Sequence, residues 1–483
     1  MLKSADLQKA MSYAFASVGF LTLFAGCGGS MQPPPIAANA TTKVVALLTS
    51  TANDKLVQFN VAITSIALTD TAGNSVTLFD NTGVQGGLPQ FTEFMKLNGT
   101  SEPLVTATVP QGTYSAATIK LGACEVGTVT IVSGGLVVSG YEQGTCSQGT
   151  GNATVNFASP ITISGSAMAL SFNLQVPSSY AITNSTTYTI SPVFNVAPIA
   201  IAANPSNESN GKISGVDARI VSVDPSGSFV VKTPDGASST LSSSADSQYQ
   251  GVSGFDALAP GMIVNLDSAI QADGTLLARR VEVQDPASLA SDIDLPIATS
   301  ARAGLVVVQP LECFPGPGAL PICDSEFQSD STTQFGISGQ FTNVQNLPFT
   351  AVFDGASQVL GQNVSISSRA AQSVPIFATN LTLEPQTLNG VVTAVSNVGG
   401  FSVFTVALAP YDLIPITQQQ TVFAPFATIV NPSTITVYAD ANAQLLQSAA
   451  VTPGSNLRFR GLVFNDSGTL RMDCSEILDG VPE

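Results

Sequence analysis

The sequence predicts an all-β chain: a sandwich followed by about three small barrels. Three observations carry that expectation. Apolar runs are short and recur roughly every ten residues between Gly, Pro, Asn and Asp, as in sandwiches and barrels. Only 10% of residues are charged while 44% are hydrophobic. With Ser, Thr, Asn, Gln and Gly filling the remainder, that balance fits half-buried strands with a hydroxyl-rich outer face, not a disordered chain. The C-terminal half also repeats itself with a period of roughly 85–95 residues, too long for a solenoid and suited to tandem small barrels.

The chain has 483 residues, enough for several domains with cores of their own. It opens as an export signal over residues 1–26. Lys3 and Lys9 are basic, and the apolar stretch Ala14 to Phe24 has 11 residues, where roughly 20 are needed to span a bilayer. The stretch ends in Leu23-Phe24-Ala25-Gly26-Cys27. Small residues before a Cys resemble the lipobox of bacterial lipoproteins, although Phe24 departs from the usual Leu or Val. The resemblance implies cleavage before Cys27, a diacylglyceryl group and an N-acyl chain (a palmitate, for example) on it, and stable anchoring by more than one chain. Gly28, where an Asp would favour inner-membrane retention, leans the expectation towards the outer membrane, facing the periplasm or the exterior. Residues 27–40, polar and Pro-rich, read as a tether.

Residues 41–199 read as the sandwich. Val44 to Leu48, Leu56 to Ile63, Val76 to Phe79, Leu104 to Val109 and Tyr114 to Leu121 are its strand candidates. The corner Val109-Pro110-Gln111-Gly112-Thr113-Tyr114, followed by Ile119-Lys120-Leu121, resembles that of transthyretin-like (prealbumin-like) sandwiches. With the strands before it, it is similar to an uncharacterised domain family common in bacterial lipoproteins, which implies a fold and no mechanism.

Residues 200–210, including Asn204-Pro205-Ser206-Asn207-Glu208-Ser209-Asn210, read as a linker. Beyond it Pro260-Gly261 recurs as Pro453-Gly454, and Asp273-Gly274-Thr275-Leu276 as Asp466-Ser467-Gly468-Thr469-Leu470. Each copy opens on Gly and apolar residues, at Gly215-Val216 and Gly390-Val391, and closes on an alternating strand, Val281-Glu282-Val283 or Ser475-Glu476-Ile477. The expected copies are 211–286, a degenerate 300–386 opened by Ala303-Gly304-Leu305 with Gly361 to Ile366 at its centre, and 387–480. The first resembles a second uncharacterised family of envelope domains, implying small OB-like barrels. Such repeats are expected to be displayed independently of one another.

Five cysteines follow Cys27, and export makes disulfides their default state. A three-residue loop at 134–136 sets Cys124 opposite Cys146 in a hairpin, a bridge contributing roughly 3 kcal/mol. Cys313 and Cys323 bracket the turn-rich insert Phe314-Pro315-Gly316-Pro317-Gly318 as a clasp. Cys474 is left as a free, buried thiol.

Chemistry is constrained mainly by absences. There is no His and no Trp, which removes Ser-His-Asp and Cys-His machinery, His-ligated zinc and Trp platforms. The 16 basic and 33 acidic residues leave a net charge of −17, which repels phosphate backbones and argues against a nucleic-acid partner. Asp292-x-Asp294 lacks the rest of a calcium loop and reads as linker acids. Asp273-Gly274 and Asp466-Ser467-Gly468 read as turns. Arg458-x-Arg460 puts two cations on one strand side, either gripping an anion or, as is ordinary, facing solvent. Tyr141, Tyr180 and Tyr188 are either a sugar platform or scattered aromatics. No residue is expected to be catalytic and no cofactor or metal is expected. The expected role is an envelope lipoprotein held to the lipid bilayer, with a non-catalytic binding, adhesion or scaffold function towards a protein or glycan. The alternatives are a glycan-binding lipoprotein and a hydrolase built on paired carboxylates.

Overall fold

The computed structural model describes residues 40–481, apart from 53–55, 57, 83–90, 133–134, 146–150, 185–186, 286–291, 300–304, 309–311, 315–325, 340–343, 360, 369–375 and 410–429. The described chain is all-β, with one four-residue helix, Val176–Ser179, and three short 3-10 turns. Cys27 lies outside the described residues. Among those described, no helix is long and apolar enough to cross a membrane.

Two sheets face each other over the first stretch. One orders Phe194–Ile199, Ala167–Gln175, Thr41–Thr51 and Ser101–Pro110, with Thr41–Thr51 and Ala167–Gln175 parallel. The other orders Ser75–Asp80, Gln58–Asp70, Gly112–Val132 and Gly135–Thr145, with Thr92–Glu93 and Asn152–Ile163 attached. Alternation decides what goes between them. Val44, Ala46 and Leu48 point one way, into a core with Phe59, Ile66, Ile119 and Phe172. The tyrosine of the Pro-Gln-Gly-Thr-Tyr corner turns back, and the Tyr114 hydroxyl donates to the Pro110 carbonyl at 2.8 Å.

Each of the next three stretches traces the same five-strand circuit. In the first, Lys212–Asp224, Ser228–Lys232 and Ser238–Ser242 pair in order. The third strand runs parallel to the fifth, Leu276–Asp285, and the fourth, Ile263–Ile270, joins the fifth back to the first. In the second the strands are Asp292–Thr299, Leu305–Val308, Glu326–Gln328, Asn363–Ser368 and Ile376–Leu383, again with the third parallel to the fifth. In the last, Gln386–Val398, Phe401–Leu408, Thr434–Leu445, Asn456–Asp466 and Thr469–Asp479 close a barrel in the same order. The repeated Pro-Gly turn has a geometric reason. Gly261, Gly361 and Gly454 all have positive φ (95°, 91° and 93°) shortly before the fourth strand, a region L-residues avoid. The Gly261 amide donates to Ile220 on the first strand at 2.7 Å, and the Gly454 amide to Val392 at 2.8 Å.

Four expectations need correction. Asp292 and Asp294 are not linker acids: they sit in the opening strand of the second circuit, opposite Ser367 and Ser365, so its sheet starts before residue 300. The Cys124 hairpin turns earlier than 134–136. Val132 pairs with Gly135, and after a register shift Cys124 faces Gly144, not Cys146. Cys124 and Cys313 are disulfide-bonded; their expected partners Cys146 and Cys323 lie outside the described residues. Independent display also fails, because residues Asn39–Glu483 form one compact unit. Val45, Leu47 and Ala169, on the far face of the sandwich sheet, join the core of the first circuit with Ile213, Phe229 and Leu266. Arg458 and Arg460, finally, do not face solvent: at 7% and 8% exposure both are buried.

The last barrel closes tightly enough to demand glycine on its fourth strand. A Cβ on Gly461 would run into the Asp473 carbonyl and come within 2.9 Å of the Cys474 Cα across the ladder, an approach of backbone to backbone that no side-chain rotation relieves. Gly461→Ala is therefore expected to destabilise the protein by roughly 1–3 kcal/mol, read as an earlier urea midpoint. An unchanged midpoint would contradict this packing.

Candidate site: a charged cleft between the first and last circuits

The fourth strand of the barrel, Asn456–Asp466, alternates Leu457, Phe459 into the barrel core and Arg458, Arg460 outwards. Outwards here is another part of the protein. The Arg458 Nη1 donates to Asn98 Oδ1 of the sandwich at 2.6 Å, and its Nε to the Asp479 carbonyl at 2.9 Å. The Thr387 hydroxyl donates to the Asn98 carbonyl at 2.7 Å. Sandwich and first circuit are joined in the same manner. Lys96 Nζ and Asp217 Oδ2 are 2.6 Å apart in a buried ion pair, and the Thr100 hydroxyl donates to the Ser214 carbonyl at 2.5 Å.

Arg460, one alternation further along the strand, opens onto a cleft of about 330 Å³. One wall comes from the first circuit, with Lys212, Asp267 and Arg280; the other from the barrel, with Asp440, Gln444, Arg460, Asp473 and Glu476. Arg280 Nη1 stands 3.9 Å from Asp267 Oδ2, too far for a hydrogen bond. Glu208, assigned to the linker by composition, belongs to this junction. Its short 3-10 turn Glu208–Asn210 presents Oε1 to the Ser214 hydroxyl at 2.8 Å and Oε2 to that of Ser101 at 3.4 Å.

Burial governs the acids here. Desolvation, with the Glu476 carboxylate nearby, pushes Glu208 up to about 8 against the pull of Lys212. Desolvation, with Asp440 beside it, pushes Asp473 up to about 7. Glu476 is raised by burial, against Arg460 and Lys212. Glu282, its counterpart in the first circuit, is also raised by burial, but its carboxylate accepts from the Gly339 amide at 2.8 Å and the Ser338 hydroxyl at 3.3 Å. Cys474 is free and buried. Burial raises its thiol far above the ordinary range, and the thiol donates to the Glu476 carbonyl at 3.2 Å, the setting of a structural rather than a reactive cysteine.

A second cleft, of about 230 Å³, lies between the sandwich and the Asp235 turn. Its acid is satisfied internally, with Thr92 and Thr233 hydroxyls donating to Asp235 at 2.7 and 2.5 Å. Elsewhere the sequence candidates do not converge. Asp273 accepts from Thr275 within its own turn, and Asp466 lies 3.6 Å from Arg471. Tyr180 and Tyr188 share the ribbon Tyr180–Asn184 with Thr187–Ile190, while Tyr141 is on Gly135–Thr145. Among the described residues no group of three His, Cys, Asp or Glu is placed to hold a metal ion. Lys212, Asp267, Arg280 and Glu476 were not singled out by the sequence. Their one sequence signal is scarcity: three of the chain's 16 basic residues meet in this cleft.

No protein-family model matches the chain, and no curated protein is significantly similar to it.

The raised carboxyls set a pH dependence. A group with a raised folded-state pKa keeps its proton where the unfolded chain has lost it. Its contribution is thus intact below the ordinary value and is lost as pH climbs to the folded-state value. For Glu208 that window runs from 4.5 to about 8, and for Asp473 from 3.8 to about 7. The melting temperature should fall across this window, and Glu208→Gln, a neutral isostere, should flatten the fall. A slope unchanged in the variant would contradict the assignment.

Proposed function

We propose that this protein is a bacterial envelope lipoprotein, anchored to the outer membrane through acylated Cys27, whose β-scaffold serves binding or adhesion rather than catalysis. The sandwich is read as transthyretin-like and the three circuits as OB-like, the shared strand order supporting the second reading. One observation carries the functional part: the polar cleft between the first circuit and the barrel, lined by side chains from both walls. Its cysteine is buried and protonated, and two of its acids are raised, so its fixed groups are arranged to meet a ligand more than to activate a nucleophile. Glycan binding is one form of this role. The rival reading, a carboxylate-dependent hydrolase, draws on Asp473, whose elevated carboxyl beside Asp440 has the character of a general acid.

Two measurements test the proposal. Cys27→Ala should leave the protein unacylated in palmitate labelling and release it from membranes in a carbonate wash. A variant retained as firmly as the parent would overturn the anchor. Turnover of a glycoside or ester panel that vanishes in Asp473→Asn would replace binding with hydrolysis.

A further inference from the structure

We propose that the cleft between the first circuit and the barrel binds a small zwitterion, a molecule carrying a carboxylate and an ammonium group such as a free amino acid or short peptide. This deepens the binding reading above and rests on it. The cleft's volume of about 330 Å³ falls at the lower end of small-molecule sites. More informative is which atoms in its walls lack partners.

On the barrel wall these are acceptors. Glu476 is 3% exposed, yet its Oε2 has no hydrogen-bond partner. Gln444 Oε1 is likewise buried and unpartnered. The two residues are register partners on the parallel strands Thr434–Leu445 and Thr469–Asp479, so their acceptors come from adjacent positions. On its other side Glu476 is the register partner of Arg460, but no ion pair within 4.0 Å joins them among the described residues. On the facing wall the unpartnered atoms are donors: Nε and Nη1 of Arg280, which Asp267 approaches only to 3.9 Å.

A buried polar group without a partner is costly, the more so when charged. Opposite needs on opposite walls select the ligand. An anion alone answers Arg280 and leaves the Glu476 Oε2 without a hydrogen bond; a cation alone leaves the Arg280 Nε and Nη1 without one. A neutral polyol reaches both walls with weaker bonds. A zwitterion makes charge-assisted hydrogen bonds at both ends: its carboxylate accepts from Arg280, and its ammonium donates to Glu476 and Gln444. Burial raises the Glu476 carboxyl while Arg460 and Lys212 oppose the shift, and an ammonium beside it acts in the same direction as those two cations. Because the walls belong to different circuits, such a ligand also bridges the junction and stabilises the folded chain.

The test is calorimetric titration of the full chain in detergent with glycine, alanine, glutamate and dialanine, against acetate, ethylamine and glucose. At least one zwitterion should bind saturably and raise the melting temperature while the singly charged and neutral probes do not. Glu476→Gln and Arg280→Gln should each weaken that binding by roughly tenfold or more; Arg280, on the less buried wall, serves if the Glu476 variant does not fold. Absence of binding by every zwitterion, equal binding of acetate or ethylamine, or affinity unchanged in Arg280→Gln would overturn the proposal. Glucose binding without zwitterion binding would also overturn it while leaving the binding role intact. Hydrolysis of the Asp473-dependent kind would instead remove the reading on which it rests.

Discussion

One strand, Asn456–Asp466, holds the structure together. It is buried along almost its whole length, and its neighbours differ from residue to residue. Leu457, Phe459 and Val463 fill the barrel. Leu462 and Phe464 enter the core of the middle circuit with Phe327, Leu381 and Leu383, and Gln362 of that circuit donates to the Val463 carbonyl at 2.7 Å. Arg458 reaches the sandwich and Arg460 the cleft beside the first circuit. Burying two guanidinium groups is unfavourable unless their donors are met. Their presence restricts how the pieces can dock, since a rotated arrangement would leave Arg458 without Asn98 of the sandwich.

The sandwich contributes a second strand of this kind. Thr41–Thr51 is apolar on both faces at its centre, Val44, Ala46 and Leu48 serving one core and Val45 and Leu47 the next. An antiparallel sheet with one wet face would have shown polar residues at alternate positions. With both faces occupied, the sandwich and the first circuit share a layer, and the polar contacts of Lys96 and Thr100 set its alignment, while those of Asn98 tie the sandwich to the last barrel. The cleft follows from this arrangement. It is the space left where the first circuit meets the barrel, lined by charged side chains of both.

The all-β class was legible because turn chemistry is local. Pro260-Gly261 and Pro453-Gly454 recur because the chain needs a left-handed residue before the fourth strand, and the later turns share a left-handed Gly, Gly274 or Gly468, capped by the Asp273 carboxylate in one copy and by the Asn465 amide oxygen in the other. Packing between repeats was not legible, for a reason visible in particular residues. Arg458-x-Arg460 has the pattern of an exposed strand face, and only tertiary partners turn it inward. Glu208 sits in a segment whose composition is that of a linker. Val44 to Leu48, by contrast, carried a usable sign, since five consecutive apolar residues in a strand mean two buried faces. The Cys124 register failed because a hairpin with an earlier turn and a bulge shifts every partner.

The central claim is that shared cores and buried arginines make the sandwich and the three circuits one cooperative body. Scanning calorimetry of the full chain tests it most directly. A single transition, with the calorimetric enthalpy matching the van't Hoff enthalpy, is the predicted result. Separate transitions for the sandwich and for the barrel would contradict it.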